Sequence, residues 1–326
     1  MKKQEELTIV TAFFDIGRGE MNYDNCEPRS FGRYLSYFEG WARVRNNMIV
    51  YAQKGFGDKI LEVRKKFGLG DKTKIVEIDD VFAIESELLA RMEKVEKDKG
   101  FLNFRFFSSE VSNTARYNYI MLMKYYFLKD ASEKYVKDGD LAWIDLGFNH
   151  GGDCYSKPEE FDFELKSKST TDKVQLFALP GKDIEKINPV RSLQYQSEHI
   201  HGAPIVCPAA KSAALYKECI DAMDALLRIG CIDDDQQLLL MAVHNNPDLF
   251  EVKTSFWFMP IKDYLGGDHL SVKPAFQNKA NGGKPKDTAI NKLRRMKWRM
   301  TGGKYKKEDF LARQEKIANE EWPDAS

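Results

Sequence analysis

The chain has 326 residues, 43% apolar and 31% charged, which excludes disordered and fibrous classes and leaves room for one large α/β domain or two smaller ones. Fifty basic side chains balance fifty acidic ones, so no chain-wide nucleic-acid footprint is present. The longest apolar run, Tyr119 to Leu128, is interrupted by Lys124 and is shorter than the roughly 20 residues of a membrane span.

No apolar leader segment opens the chain, and a cytoplasmic location is expected. The five cysteines are scattered and form no C-x-x-C pair, which fits reduced thiols better than a disulfide frame or a zinc site.

In chain order, Leu7 to Phe14 is a short β-branched apolar run ending in Asp15-Ile16-Gly17-Arg18, read as a buried first strand and a polar turn. Ser30 offers an N-cap to a helix whose apolar face carries Tyr34, Tyr37, Phe38, Trp41 and Val44. Strands are predicted at Met48 to Ala52 and Lys74 to Ile78, with a helix at Asp58 to Phe67 between them. This β-α-β alternation predicts a mostly parallel sheet flanked by helices.

Helices follow at Ile84 to Lys97 and Asn113 to Val136. The turn Asp138-Gly139-Asp140 then leads into the strand Leu141 to Asp145. Further strands are predicted at Val174 to Leu179, Ala203 to Cys207 and Leu249 to Val252, and helices at Ala209 to Arg228 and Asp233 to Asn245. The texture changes at Gly266, giving a division into residues 1–265 and a Gly/Lys-rich, basic helical appendage over 266–326.

Familiar phosphate and nucleophile motifs are absent. Gly55-Phe56-Gly57 is followed by Ile60 where a dinucleotide fingerprint needs its third Gly, and Gly70-Asp71-Lys72-Thr73 puts an Asp inside the phosphate-loop pattern. His199 and His201 lack the helical spacing of a zinc pair.

Four constellations remain. Trp143-Ile144-Asp145-Leu146-Gly147-Phe148 ends an apolar strand on one carboxylate, which either terminates a turn or ligates a divalent cation (Mn²⁺ or Mg²⁺) on a nucleotide-sugar diphosphate. Gly147 lets the backbone approach a ligand. Arg116 and Lys124 are eight residues apart on one helix, so both can face a cleft and hold a carboxylate or phosphate, or else snorkel to solvent.

Asp233-Asp234-Asp235-Gln236 opens a helix, where capping explains one or two carboxylates. A third suits hydrogen bonding to acceptor hydroxyls or general-base work, with Gln236, His201 and Gly202 as acceptor contacts. Lastly, His269 and Lys273 in a Gly-hinged loop can close over a metal and a diphosphate.

Together, Thr8 to Arg18, the 113–129 helix, the 143–148 motif and Asp234-Asp235-Gln236 resemble the HtrL/YibB family of bacterial proteins over about residues 7–260. That family is regarded as glycosyltransferase-like and tied to surface-polysaccharide loci. The resemblance implies a GT-A-type fold in which Thr11, Ala12 and Phe13 line a base pocket, with Asp15 and Arg18 near ribose or phosphate. It also implies Asp145 as donor-site ligand and Asp234 and Asp235 on the acceptor side.

The GT-A Asp-x-Asp stands here as Asp145-Leu146-Gly147, so one metal ligand is missing or replaced by water or His269. The loop Asp268 to Pro274 is similar to the His…Lys-Pro loop of glycogenin-type transferases.

The expected function is transfer of a sugar from a nucleotide donor, UDP-linked by preference, to a glycan or lipid-linked acceptor. The alternative is a non-catalytic sugar-nucleotide or glycan-binding protein. Residues 284–307 carry ten Lys or Arg against Asp287, and 288–300 reads as a basic amphipathic helix. Such a helix either lies on the anionic inner face of the cytoplasmic membrane or packs back on the body.

Overall fold

The computed structural model describes residues 7–20, 28–98 and 113–280, so the basic helix expected at 288–300 lies outside the described residues. Seven strands form one sheet: β1 (Leu7–Phe13), β2 (Met48–Gln53), β3 (Thr73–Ile78), β4 (Asp140–Trp143), β5 (Val174–Ala178), β6 (Ile205–Pro208) and β7 (Phe250–Thr254). Their order is β3-β2-β1-β4-β6-β5-β7. All neighbours run parallel except at β6, which is antiparallel to both β4 and β5.

Helical crossovers from β1 to β2, β2 to β3 and β3 to β4 make that part of the sheet parallel; the described helices are α1 (Phe31–Glu39), α2 (Gly57–Lys65), α3 (Ser86–Lys97), α4 (Ala115–Lys134), α5 (Pro189–Tyr195), α6 (Ser212–Arg228), α7 (Asp235–Asn245) and, after β7, α8 (Pro260–Tyr264) and α9 (Pro274–Ala280). Both sheet faces are covered, so β1 and β4 are buried along almost their whole length. Val10, Tyr51 and Trp143 face a layer built from α3, α4, α6 and α7, whereas Ile9, Phe13, Val50 and Ile144 face α1, α2 and α8.

α4 is apolar nearly all round and is clamped between the sheet and its neighbouring helices, which places Lys124 in the interior. Ser30 caps α1 as its sequence predicts, accepting the Arg33 N–H. Elsewhere, the fully buried Arg64 ties the α1–β2 connection to α2 by donating to the carbonyls of Ala42, Val44 and Asn46.

The strand order reverses between β1 and β4, and the carboxyl ends of these two parallel strands therefore diverge into a crevice. Residues 266–280 are tied into the same body. Leu270 is buried in the core, Val272 pairs with Tyr155, and Phe276 of α9 packs on Phe256 and Phe258. The sequence-based boundary at 265 thus falls inside a packed unit. Among the described residues no helix is long and apolar enough to cross a membrane.

Candidate functional site

The crevice beyond β1 and β4 is a cleft of about 630 Å³. β1 and its following turn supply Ala12, Phe13, Phe14, Asp15 and Arg18, and Arg29 and Tyr34 come from the approach to α1. α4 contributes Tyr117, Lys124 and Phe127, and the end of β4 contributes Trp143, Asp145 and Gly147. The far wall is His150, Glu198, Gly202, Asp235 and Gln236, with Trp257, Phe258 and Phe276 as an aromatic rim.

An ion cluster forms the floor. The Lys124 ammonium, 3% exposed, lies 2.9 Å from Asp145 Oδ1 and 2.5 Å from Asp235 Oδ2. It also donates to the Gly202 carbonyl at 3.4 Å. The Trp143 indole N–H donates to the same Asp145 Oδ1 at 2.7 Å. Asp145 keeps a half-exposed side chain, whereas Asp235 is buried.

Burial would strip the Lys124 proton, but Asp145 and Asp235 outweigh it and hold the ammonium charged. Asp235 binds a proton more tightly than an ordinary aspartate, chiefly because it is buried; Lys124 opposes that shift and Asp145 adds to it.

Gly202 is fixed by this arrangement. A Cβ there would stand 2.2 Å from Asp235 Oδ2 and 2.7 Å from its Cγ, so any larger residue expels the carboxylate. Buried charge clusters are poor stabilisers relative to apolar packing, and one that opens on a cleft marks a functional site.

Several sequence expectations meet here: Ala12, Phe13, Asp15, Arg18, Lys124, Asp145, Gly147, Gly202, Asp235 and Gln236 all line the cleft. Asp15 has a local task as well, since its carboxylate accepts the Gly17 N–H at 2.9 Å and shapes the turn that carries Arg18.

Other expected residues lie elsewhere. Thr11 is fully buried within β1. Arg116 is exposed over the Phe82 ring at 5.0 Å, because eight residues of helix rotate it out of line with Lys124. His201 is completely buried, its pKa pushed down to about 4 by burial; it stacks behind Trp257 at 4.6 Å and supports the rim from outside the cleft. Asp234 is the N-cap of α7 and faces a smaller neighbouring hollow shared with Glu198 and Asp233.

The His269–Lys273 loop does not close over the cleft. His269 Nε2 donates to the Glu160 carbonyl at 2.8 Å with its ring edge-on to Phe163, and Glu160 also takes the Ser271 N–H and hydroxyl. Lys273 is exposed, and its backbone N–H is bound to the Cys154 carbonyl.

The donor set therefore does not fit a divalent cation. Asp145 is the one expected metal ligand in the cleft, and its inner oxygen already carries an ammonium and an indole N–H. Among the described residues no three His, Cys, Asp or Glu side chains gather to hold a metal.

Sequence reasoning passed over Arg29, His150, Glu198 and the aromatic rim. His150 has left-handed backbone at φ 41°, as have Asn149 at φ 63° and Phe258 at φ 62°. Such conformations in non-glycine residues collect where function over-determines the backbone. Burial lowers the His150 pKa, Arg29 lowers it further, and Asp153, 3.6 Å from Nδ1, opposes them. Apart from Phe276 on α9, these positions sit in loops and short turns of no marked periodicity, so no sequence signal pointed to them.

Protein HtrL of Escherichia coli (strain K12) is 28% identical to this chain over 260 residues, covering 76% of the chain and 88% of the relative. The family described as "Bacterial protein of unknown function (HtrL_YibB)" matches residues 5–264, which span the sheet, the whole ion cluster and the cleft apart from Phe276 of its rim. The chain belongs to the HtrL/YibB family.

Proposed function

We propose that this cleft transfers a glycosyl group from a nucleotide-sugar donor to a hydroxyl of a saccharide or lipid-linked acceptor. The observation that carries the reading is the Lys124–Asp145–Asp235 cluster at the topological switch point of the sheet, where open α/β sheets bind their ligands. The aromatic lining suits a nucleobase and sugar faces, and the arginines beside β1 suit phosphate.

Asp145, fixed by Trp143 and Lys124, offers its outer oxygen to a donor-sugar hydroxyl. Asp235 takes the proton of the acceptor hydroxyl as that oxygen attacks the anomeric carbon. The bond from that carbon to the diphosphate breaks, and the nucleoside diphosphate leaves. The raised proton affinity of Asp235 suits this task.

A second reading, non-catalytic sugar-nucleotide binding, is favoured by the occupied inner oxygen of Asp145. A panel of nucleotide sugars, assayed for release of nucleoside diphosphate with and without glycan acceptors, separates the two. Transfer or donor cleavage that Asp145→Asn abolishes supports catalysis. Tight donor binding with no product supports the binding module, and neither binding nor cleavage across the panel rejects both.

A further inference from the structure

An ammonium has three N–H donors, and those of Lys124 are taken by Asp145, Asp235 and the Gly202 carbonyl. Lys124 therefore neutralises carboxylate charge and has no donor left for phosphate. It also stands against the inner oxygen of Asp145, which leaves a divalent cation only the outer one. A metal ion at that point would meet a fixed positive charge a few ångströms away, and the buried floor strengthens the repulsion.

Two further cations line the cleft wall. Arg18 and Arg29 are joined by a backbone hydrogen bond of 2.9 Å, from the Arg29 N–H to the Arg18 carbonyl. The Arg18 guanidinium is positioned by the Tyr34 hydroxyl at 3.5 Å and lies over the Tyr117 ring at 5.4 Å. Arg29 faces His150 closely enough to add to the depression of its pKa that burial begins. Guanidinium forks match phosphate oxygens two at a time, which a point charge cannot do.

We propose that the cleft binds a diphosphate through Arg18 and Arg29 without a divalent cation, leaving Asp145 to hold a sugar hydroxyl instead of a metal. This rests on the reading of the cleft as a nucleotide-sugar site.

The test is calorimetric titration of the full chain with inorganic pyrophosphate and with UDP, in EDTA and in MnCl2. Both probes should bind in EDTA. Arg18→Gln and Arg29→Gln should each weaken binding about tenfold or more, with melting temperatures unchanged. Lys217→Gln, an exposed cation paired with Asp221 on α6, should bind as the parent does.

UDP binding that appears only with manganese removes the metal-free assignment and leaves glycosyl transfer standing. Arginine variants that bind as tightly as the parent, or a chain that binds neither probe in either buffer, also overturn the inference. Glycosyl transfer is then decided separately by the donor-cleavage panel.

Discussion

Replacing Lys124 with Met keeps an unbranched apolar stem, one atom shorter, and removes the ammonium with its charge and its N–H donors. Asp145 has solvent on one side, so the cost falls on Asp235, whose side chain is 5% exposed. Leaving a buried charge without its partner costs about 3–5 kcal/mol. For a domain of this size that is a fall in melting temperature of roughly 5–8 °C.

The variant also acquires a diagnostic pH dependence. Asp235 already holds its proton more tightly than usual, through burial, and losing Lys124 removes the main opposing influence. A carboxyl whose folded pKa is raised gives the folded state the greater number of bound protons above its unfolded pKa, so stability falls as pH rises. Lys124→Met should thus recover part of its loss when taken from about pH 7.5 to about pH 5. The double variant Lys124→Met/Asp235→Asn should recover more at neutral pH, because no charge is then stranded. Denaturant titrations of the parent, Lys124→Met, Asp235→Asn and the double variant make the measurement. A single variant as stable as the parent, with no pH trend, would refute the claim that the ammonium compensates buried carboxylate charge.

Other outcomes follow from the same geometry. Gly202→Ala should lower stability by about 1–3 kcal/mol in denaturant titrations and abolish whatever the cleft does, since its Cβ occupies the position of Asp235 Oδ2. Asp145→Asn should remove donor cleavage with a change in melting temperature of only about a degree or two, because the side chain is half exposed. Burial alone would raise the Glu160 pKa, but the Ser271 N–H, the Ser271 hydroxyl and Lys157 bring it down to about 2. A depressed carboxylate contributes stability above its unfolded pKa and loses it as pH falls through the folded one. Protease cleavage or amide exchange in the 266–273 loop should therefore rise between about pH 4 and about pH 2, and Glu160→Gln should show the same loosening at neutral pH.

Much of the fold was legible because its strands are short apolar runs and its helices carry one apolar face. β1, β2, β4 and α4 fall within a residue or two of the spans predicted from those patterns. The direction of β6 was not legible, since hydrophobic pattern is the same for either polarity of a strand.

Asp145, Lys124, Asp235 and Gly202 could each be named from local context. Their convergence on one nitrogen is set by tertiary packing across up to 111 residues of chain, which no local spacing encodes. Sequence reasoning assigned Asp145 and Asp235 to separate donor and acceptor duties, whereas the folded chain joins them through one ammonium. The His269 loop misled for a related reason: a His and a Lys beside glycines look free in sequence, but Glu160, more than a hundred residues earlier, holds His269 and Ser271, and the Cys154 carbonyl holds the Lys273 backbone.

The ammonium of Lys124 is the meeting point of four separate pieces of backbone: a helix, the exit of one strand, the entry to another, and the start of a second helix. Such a junction acts as a rivet. The ends of β4 and β6 and the two helices cannot separate beneath a ligand without breaking these bonds, and the aromatic rim stands above them. There the chain is built differently, for Phe276 sits on a seven-residue helix with no buried residue of its own. The cleft thus joins a floor cross-linked through one buried charge to a rim whose outermost ring, Phe276, rests on Phe256 and Phe258.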